Sequence, residues 1–120
     1  AQVLHQYNKI FIIHLCGAVL NLLPLVRLTD ADGIDSLTPP PLGDTDVNTA
    51  KTILGDGFCV IGGINPVVLR WATQDEVKAH VKQLLATLES KTNFILCSGD
   101  AVPAGTPVEN LKVISELVRS

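Results

Sequence analysis

Short apolar, β-branched runs alternate along the chain with segments whose apolar residues recur at helical spacing. The runs at residues 9–14, 33–37, 58–61 and 93–97 are bounded by turn-forming residues, which predicts four β-strands. Apolar positions three and four residues apart follow each run, which predicts a helix after each strand. The chain therefore repeats a strand–helix unit four times.

The predicted helices carry recognisable end signals. The second covers residues 45–54 and stops at Gly55, a residue that helices favour just beyond their last turn. The third opens with Thr73 and Glu76, and the fourth with Thr106 and Glu109, each at the spacing of a capping box. The first contains the apolar positions Val19, Leu22, Leu23 and Val26.

Four successive strand–helix units predict an all-parallel sheet, because such crossovers are right-handed and return the chain to the same end of the sheet. Four parallel βα units are half of a (β/α)8 barrel, so we expect an α/β half-barrel as a single domain over residues 1–120. The competing architecture is a separate doubly wound sheet. That architecture favours a glycine-rich phosphate loop after the first strand, and the Cys16-Gly17-Ala18 segment lacks its spacing.

Composition excludes several classes of protein. With 9 basic and 12 acidic side chains the net charge is −3, so we expect no nucleic-acid partner. The 47% hydrophobic content excludes intrinsic disorder. The longest apolar stretch, residues 10–26, is broken by polar residues, glycine and proline, so we expect no membrane span. Three cysteines without a short-spaced framework indicate a reducing compartment, and we expect a cytoplasmic protein.

Polar residues cluster where each predicted strand ends, which is where the active sites of α/β barrels are found. In these clusters Asp44, Gly62 and Gly63 are the candidate substrate-binding residues. Asp44 and Asp46 could also hold a metal ion or a proton; the alternative for both is that they favour the start of the following helix electrostatically. His80, in the middle of the third predicted helix, is expected to face solvent.

The pair His14-x-Cys16 is the sharpest chemical signal. Side chains two apart on an extended chain share a face, so an imidazole and a thiolate can converge on one zinc ion. The alternative is a buried cysteine beside a histidine bonded to backbone. A zinc site needs a further ligand, and the fourth strand offers Asp100 or Cys97 on opposite faces. We favour Asp100, which lies nearer the strand end, with Cys97 as its substitute.

Several segments together resemble the C-terminal half of the uroporphyrinogen decarboxylase superfamily, which includes zinc-dependent cobalamin methyltransferases. The resemblance runs in order from about Lys9 to Val118. It is carried by Ile13-His-Leu-Cys-Gly17, Gly33-Ile-Asp-Ser-Leu-Thr-Pro-Pro-Pro41, Leu54-Gly-Asp56, Ile61-Gly-Gly-Ile64, and Phe94-Ile-Leu-Cys-Ser-Gly-Asp100 continuing to Thr106-Pro-Val-Glu-Asn-Leu111.

The resemblance implies the last four units of a (β/α)8 barrel. In the methyltransferase branch a histidine and a cysteine like His14 and Cys16 bind zinc with a cysteine after the last strand, a position that holds Asp100 here. Zinc there favours the thiolate of an acceptor thiol, which attacks a methyl group on a corrinoid. The decarboxylases use no cofactor and depend on an aspartate and arginines near the start of the barrel, a region that this chain lacks.

Half a barrel has two unpaired strand edges, so we expect a homodimer that closes the barrel or a separate N-terminal half as partner. Three functions follow as hypotheses. The first is half of a zinc-dependent methyltransferase acting from a corrinoid to a thiol. The second is a non-catalytic, self-assembling half-barrel from a truncated gene. The third is a decarboxylase-like half that binds a tetrapyrrole. We do not expect this chain alone to hold a complete active site.

Overall fold

A four-stranded parallel sheet is the framework of the computed structural model, which describes residues 1–120. Its strands are β1 (Ile12–His14), β2 (Gly33–Leu37), β3 (Cys59–Ile64) and β4 (Phe94–Ser98), in the order β1-β2-β3-β4. Every neighbouring pair is parallel. The predicted α/β architecture of four parallel βα units is confirmed, and its strand order is that of half a (β/α)8 barrel.

Six helices accompany the sheet: α1 (Gln2–Gln6), α2 (Leu23–Val26), α3 (Val47–Leu54), α4 (Pro66–Trp71), α5 (Gln74–Thr87) and α6 (Val108–Arg119). The helix predicted after the first strand is reduced to the single turn of α2. The short helix α4 was not predicted, although Asn65 caps it through Val67 N–H and Pro66 occupies its first turn, both of which are start signals. No helix combines the length and the apolar character needed to cross a bilayer.

The two predicted capping boxes have different outcomes. At α5 the Thr73 hydroxyl accepts from Glu76 N–H, and the Glu76 carboxylate accepts from Thr73 N–H, so this box is confirmed. At α6 the prediction is wrong: the N-cap is Pro107 and no side chain caps the helix. The reason is local, because the Thr106 hydroxyl donates instead to the carbonyl of Pro103, 2.8 Å away.

The predicted end of the third strand at Ile61 is also wrong, because β3 continues through Gly62 and Gly63 to Ile64. Both glycines have positive φ, 141° and 93°. A Cβ atom on Gly62 would lie 2.6 Å from the carbonyl oxygen of Leu37, and one on Gly63 would lie 3.0 Å from Cγ2 of Val47. The glycine pair is therefore a point of close packing inside the sheet and does not form a turn.

Helices cover one face of the sheet. The larger core cluster joins side chains of α2, the segment before it and α3 to β2 and β3; its members are Val19, Leu23, Val26, Ile34, Leu37, Val47, Ala50, Leu54 and Val60. A smaller cluster of Ile64, Leu69 and Val81 joins β3, α4 and α5, with Leu96 and Ile114 packed against it. Burying one such side chain stabilises the fold by about 1.5–3 kcal/mol.

The opposite face of the sheet, which we call the open face, carries no helix. Ile12, Cys59, Ile61 and Ile95 line a recess of about 410 Å³ there. Ile95 is 52% exposed. In a complete barrel the side chains of this face point inward and fill the interior. The open face is thus the surface that barrel closure would bury.

Candidate functional site

His14 lies at the carboxyl end of β1, directly beside Asp35 of β2 in the parallel register. Its Nδ1 atom is 3.1 Å from Oδ2 of Asp35. The two side chains are 64% and 38% exposed, so solvent or a ligand reaches both. A carboxylate on one ring nitrogen fixes the orientation of an imidazole and leaves the other nitrogen for a second partner, an arrangement common around metal-ligating histidines.

Cys16 lies two residues beyond β1 as an exposed free thiol. The backbone that follows it is held in place, because Gly17 N–H donates to the hydroxyl of Thr38, 3.2 Å away. Gly17 has a φ of 77°, which turns the chain away from the strand direction. The alternative of a buried cysteine is therefore wrong for this residue.

Asp44, a candidate substrate-binding residue, holds the loop after β1. Its Oδ1 atom accepts hydrogen bonds from Val19 N–H (2.8 Å), Leu20 N–H (3.1 Å) and the hydroxyl of Thr45 (2.8 Å). Partial desolvation raises the pKa of the Asp44 carboxyl, but the bonds from Thr45, Leu20 and Val19 outweigh it and hold the pKa below its usual value. Asp46 caps α3 by accepting from Thr49 N–H, so its alternative role at the helix start is confirmed.

The two candidates for a third zinc ligand lie in different places, Cys97 within β4 and Asp100 beyond its end at Ser98. Phe94 and Leu96 of β4 pack against the helix-covered side. Ile95 lines the recess on the open face, so Cys97, two residues on, shares that face, and its thiol is exposed. Asp100 lies beyond the end of β4 in an exposed loop, where its Oδ1 atom accepts from Ala101 N–H at 2.7 Å.

Thr38 is a further residue of this region, one that no sequence motif indicates. It follows β2 directly and is 2% exposed. Its hydroxyl accepts from Gly17 N–H and is 2.5 Å from the carbonyl oxygen of Gly99, to which it donates. The loops that carry Cys16 and Asp100 are therefore joined through one side chain, an arrangement that we call the Thr38 bridge. The same hydroxyl is also 3.1 Å from the carbonyl oxygen of Ser36, a longer contact than the one to Gly99. No local pattern marks the bridge itself, because Gly17 and Gly99 are 21 and 61 residues away from Thr38.

Gly62 and Gly63 lie within β3 beside this region, and the close contacts given above account for glycine at both positions without a ligand. His80 lies nearby and is half-buried, so the expectation that it faces solvent is wrong. Its Nε2 atom accepts from Asn65 N–H at 3.2 Å, which requires a neutral ring. Burial lowers the pKa of the His80 imidazole and favours that neutral form.

A predicted zinc site requires donor chemistry and convergence of the donors. His14, Cys16 and Asp100 supply imidazole nitrogen, thiolate sulfur and carboxylate oxygen, a set that zinc accepts. No three histidine, cysteine, aspartate or glutamate side chains in residues 1–120 are gathered into one potential metal-binding group. The donor set thus fits zinc by its chemistry, although the three side chains are not gathered into one group.

Comparison with known proteins gives a family match in sequence and a fold match in structure. The family model described as uroporphyrinogen decarboxylase (URO-D) matches residues 1–120. A solved structure of a methyltransferase from Methanosarcina mazei matches with a TM-score of 0.72 and 23% sequence identity, over 92% of this chain. The chain spans 31% of the length of that structure. No curated protein sequence matches the chain.

Proposed function

Because the chain belongs to the uroporphyrinogen decarboxylase family, we propose that it supplies one part of a barrel that transfers a methyl group from a corrinoid to a thiol with the help of zinc. The sheet has four strands, half the number in such a barrel, so the proposal requires the other four from another segment or another chain. The observation that carries the proposal is the contact of 3.1 Å between His14 Nδ1 and Asp35 Oδ2. This contact uses Nδ1 and leaves the other ring nitrogen, Nε2, to bind a metal ion. Cys16, the second proposed ligand, follows two residues later in the sequence.

The residues have distinct roles in this proposal. His14 Nε2, the Cys16 thiolate and the Asp100 carboxylate would hold the metal, with Cys97 as the substitute for Asp100. Zinc, when bound, supplies a Lewis acid that favours the thiolate of an acceptor thiol. Asp35 keeps the imidazole in one orientation through its Oδ2 atom. Asp44 keeps the loop after β1 in place with Oδ1, and its second carboxylate oxygen is the atom left to bind substrate.

Metal content tests this proposal directly. After exposure to zinc and removal of the excess, we expect about one zinc per chain, and a loss of most of it in His14→Ala and Cys16→Ser. Cys59→Ser is the matched control, because Cys59 is also a free cysteine but lies at the opposite end of the sheet, at the start of β3. Zinc content that is absent from the parent chain, or equal in all four proteins, would contradict the proposal.

A second candidate, a self-assembling half-barrel without catalysis, is favoured by a different observation. Strands β1 and β4 each pair on one side only, and neither contains a charged lysine, arginine, aspartate or glutamate that would discourage further pairing. Together with the apolar open face, these edges would be buried if β4 of one copy paired with β1 of a second copy.

Solution mass separates the candidates when it is measured beside metal content. A zinc-free dimer supports self-assembly without catalysis. A monomer that stays folded at micromolar concentration contradicts it and leaves a separate N-terminal half as the partner. Binding of a porphyrinogen by the zinc-free chain, measured by fluorescence quenching, would instead support the decarboxylase-like hypothesis.

A further inference from the structure

The Thr38 bridge connects loops that are not neighbours in the sheet. Thr38 follows β2, whereas Gly99 follows β4, and β3 lies between these strands. The approach is possible because β3 and the β4 loop present glycines at this point. A Cβ atom on Gly62 would lie 2.6 Å from Leu37 O, and one on Gly99 would lie 3.0 Å from the Cα atom of Thr38. Backbone therefore packs on backbone where side chains would keep the strands apart.

The bridge also has a specific chemistry. Gly17 N–H needs an acceptor and the Gly99 carbonyl needs a donor, and one hydroxyl group supplies both at once. Only threonine and serine offer this combination in so small a side chain. Gly17 is the next residue after Cys16, and Gly99 is the residue before Asp100. The hydroxyl thus lies between the backbone positions that carry two of the proposed zinc ligands.

We propose that Thr38 is a positioning residue for the metal site: its hydroxyl sets the separation between Cys16 and Asp100 by holding Gly17 N–H and the Gly99 carbonyl at once. This inference rests on the proposed function. It assigns Thr38 no contact with metal or substrate. The bridge holds the backbones next to Cys16 and Asp100 close together although the side chains are not gathered into one group, so binding of one metal by both would require their side chains to turn toward each other.

The first test needs no metal, and its first measurement uses the parent chain alone. Amide hydrogen exchange measured by NMR should be slow at Gly17 and fast at the adjacent Ala18, which is exposed and donates no hydrogen bond. In Thr38→Val, an isostere without the hydroxyl, Gly17 should exchange at least about tenfold faster, while Val60 in the core stays unchanged. Equal exchange at Gly17 and Ala18 in the parent chain would overturn the proposal even if Thr38→Val does not fold.

The second test uses cobalt(II) as a spectroscopic probe of the metal site. Thr38→Val should weaken cobalt binding by about 10- to 100-fold, the loss typical of residues that orient metal ligands. Thr38→Ser keeps the hydroxyl and should bind as the parent chain does. Thr29→Val is the matched control, since the Thr29 hydroxyl also donates to a carbonyl and accepts from an amide, but within one turn before β2.

The outcomes of the cobalt test separate the two proposals. If the parent chain binds cobalt and Thr38→Val binds it equally well, the positioning role is overturned and the proposed function stands. If the parent chain binds no cobalt, both are overturned, since there is then no metal site to position. Loss of binding in Thr38→Val together with recovery in Thr38→Ser supports the positioning role, because a defect of packing alone would not depend on the hydroxyl.

Discussion

Gly62 is the position where one added methyl group should disturb the sheet most. It lies in the middle of β3 with a φ of 141°, a conformation that residues with a Cβ atom rarely adopt. In Gly62→Ala the new Cβ atom would lie 2.6 Å from the carbonyl oxygen and 2.7 Å from the amide nitrogen of Leu37. These are backbone atoms of β2, so a side-chain rotation cannot relieve the contact and the strand itself must move.

The expected loss of stability follows from two separate costs. Backbone conformations that favour glycine cost other residues about 1–3 kcal/mol. Overpacking in a close-packed interior costs about 1–3 kcal/mol more. We therefore expect Gly62→Ala to lower the free energy of unfolding by about 2–6 kcal/mol, a large part of the roughly 5–15 kcal/mol available to a typical domain.

Urea unfolding followed by circular dichroism measures this loss, with every protein at the same concentration because self-association would shift the midpoint. Gly57→Ala is the matched control: a Cβ atom there would meet nothing within 4 Å. Its free energy of unfolding should change by less than about 1 kcal/mol. A Gly62→Ala protein within about 1 kcal/mol of the parent chain would refute the close contact with β2 and leave a substrate-binding role as the reason for this glycine.

Three further predictions concern the site and the helices. Asp100→Cys should tighten zinc binding by about tenfold or more in a chelator competition, since thiolate is the softer ligand; unchanged affinity would count against Asp100 as a ligand. Thr73→Ala should lower the free energy of unfolding by about 1 kcal/mol, and Thr106→Ala by less, because only Thr73 caps a helix; equal losses would contradict this. Because the pKa of His80 is lowered in the folded state, His80 is protonated at a lower pH in the folded state than in the unfolded state. The free energy of unfolding should therefore fall as the pH drops below about 6.5. His80→Gln, which keeps an acceptor for Asn65 N–H, should weaken that pH dependence, and an identical pH profile would be evidence against it.

The candidate site was predictable where its signal was local. The spacing of His14 and Cys16 and the polar residues after each strand are visible in the sequence, because strand ends carry short-range turn signals. The partners of these residues were not visible. Asp35 contacts His14 across 21 residues, and the Thr38 hydroxyl reaches Gly99 across 61, so no periodicity connects them. The prediction for His80 was wrong for the same reason, since its acceptor role depends on Asn65, 15 residues earlier, at the N-cap of α4.

The sequence by itself determined the order of strands and helices and, through the crossover rule, the parallel sheet, because periodicity and caps act within a few residues. The tertiary structure decided which face of each strand is covered. Alternation in β4 places Phe94 and Leu96 on one face and Ile95 and Cys97 on the other. It does not say which of the two faces the helices cover, because the pattern is the same if the faces are exchanged. Only the packing of helices against one side made the second pair part of the open face. The tertiary structure also decided the role of Gly62, which follows the predicted end of the third strand: the backbone of Leu37 in β2 approaches it so closely that a side chain would not fit.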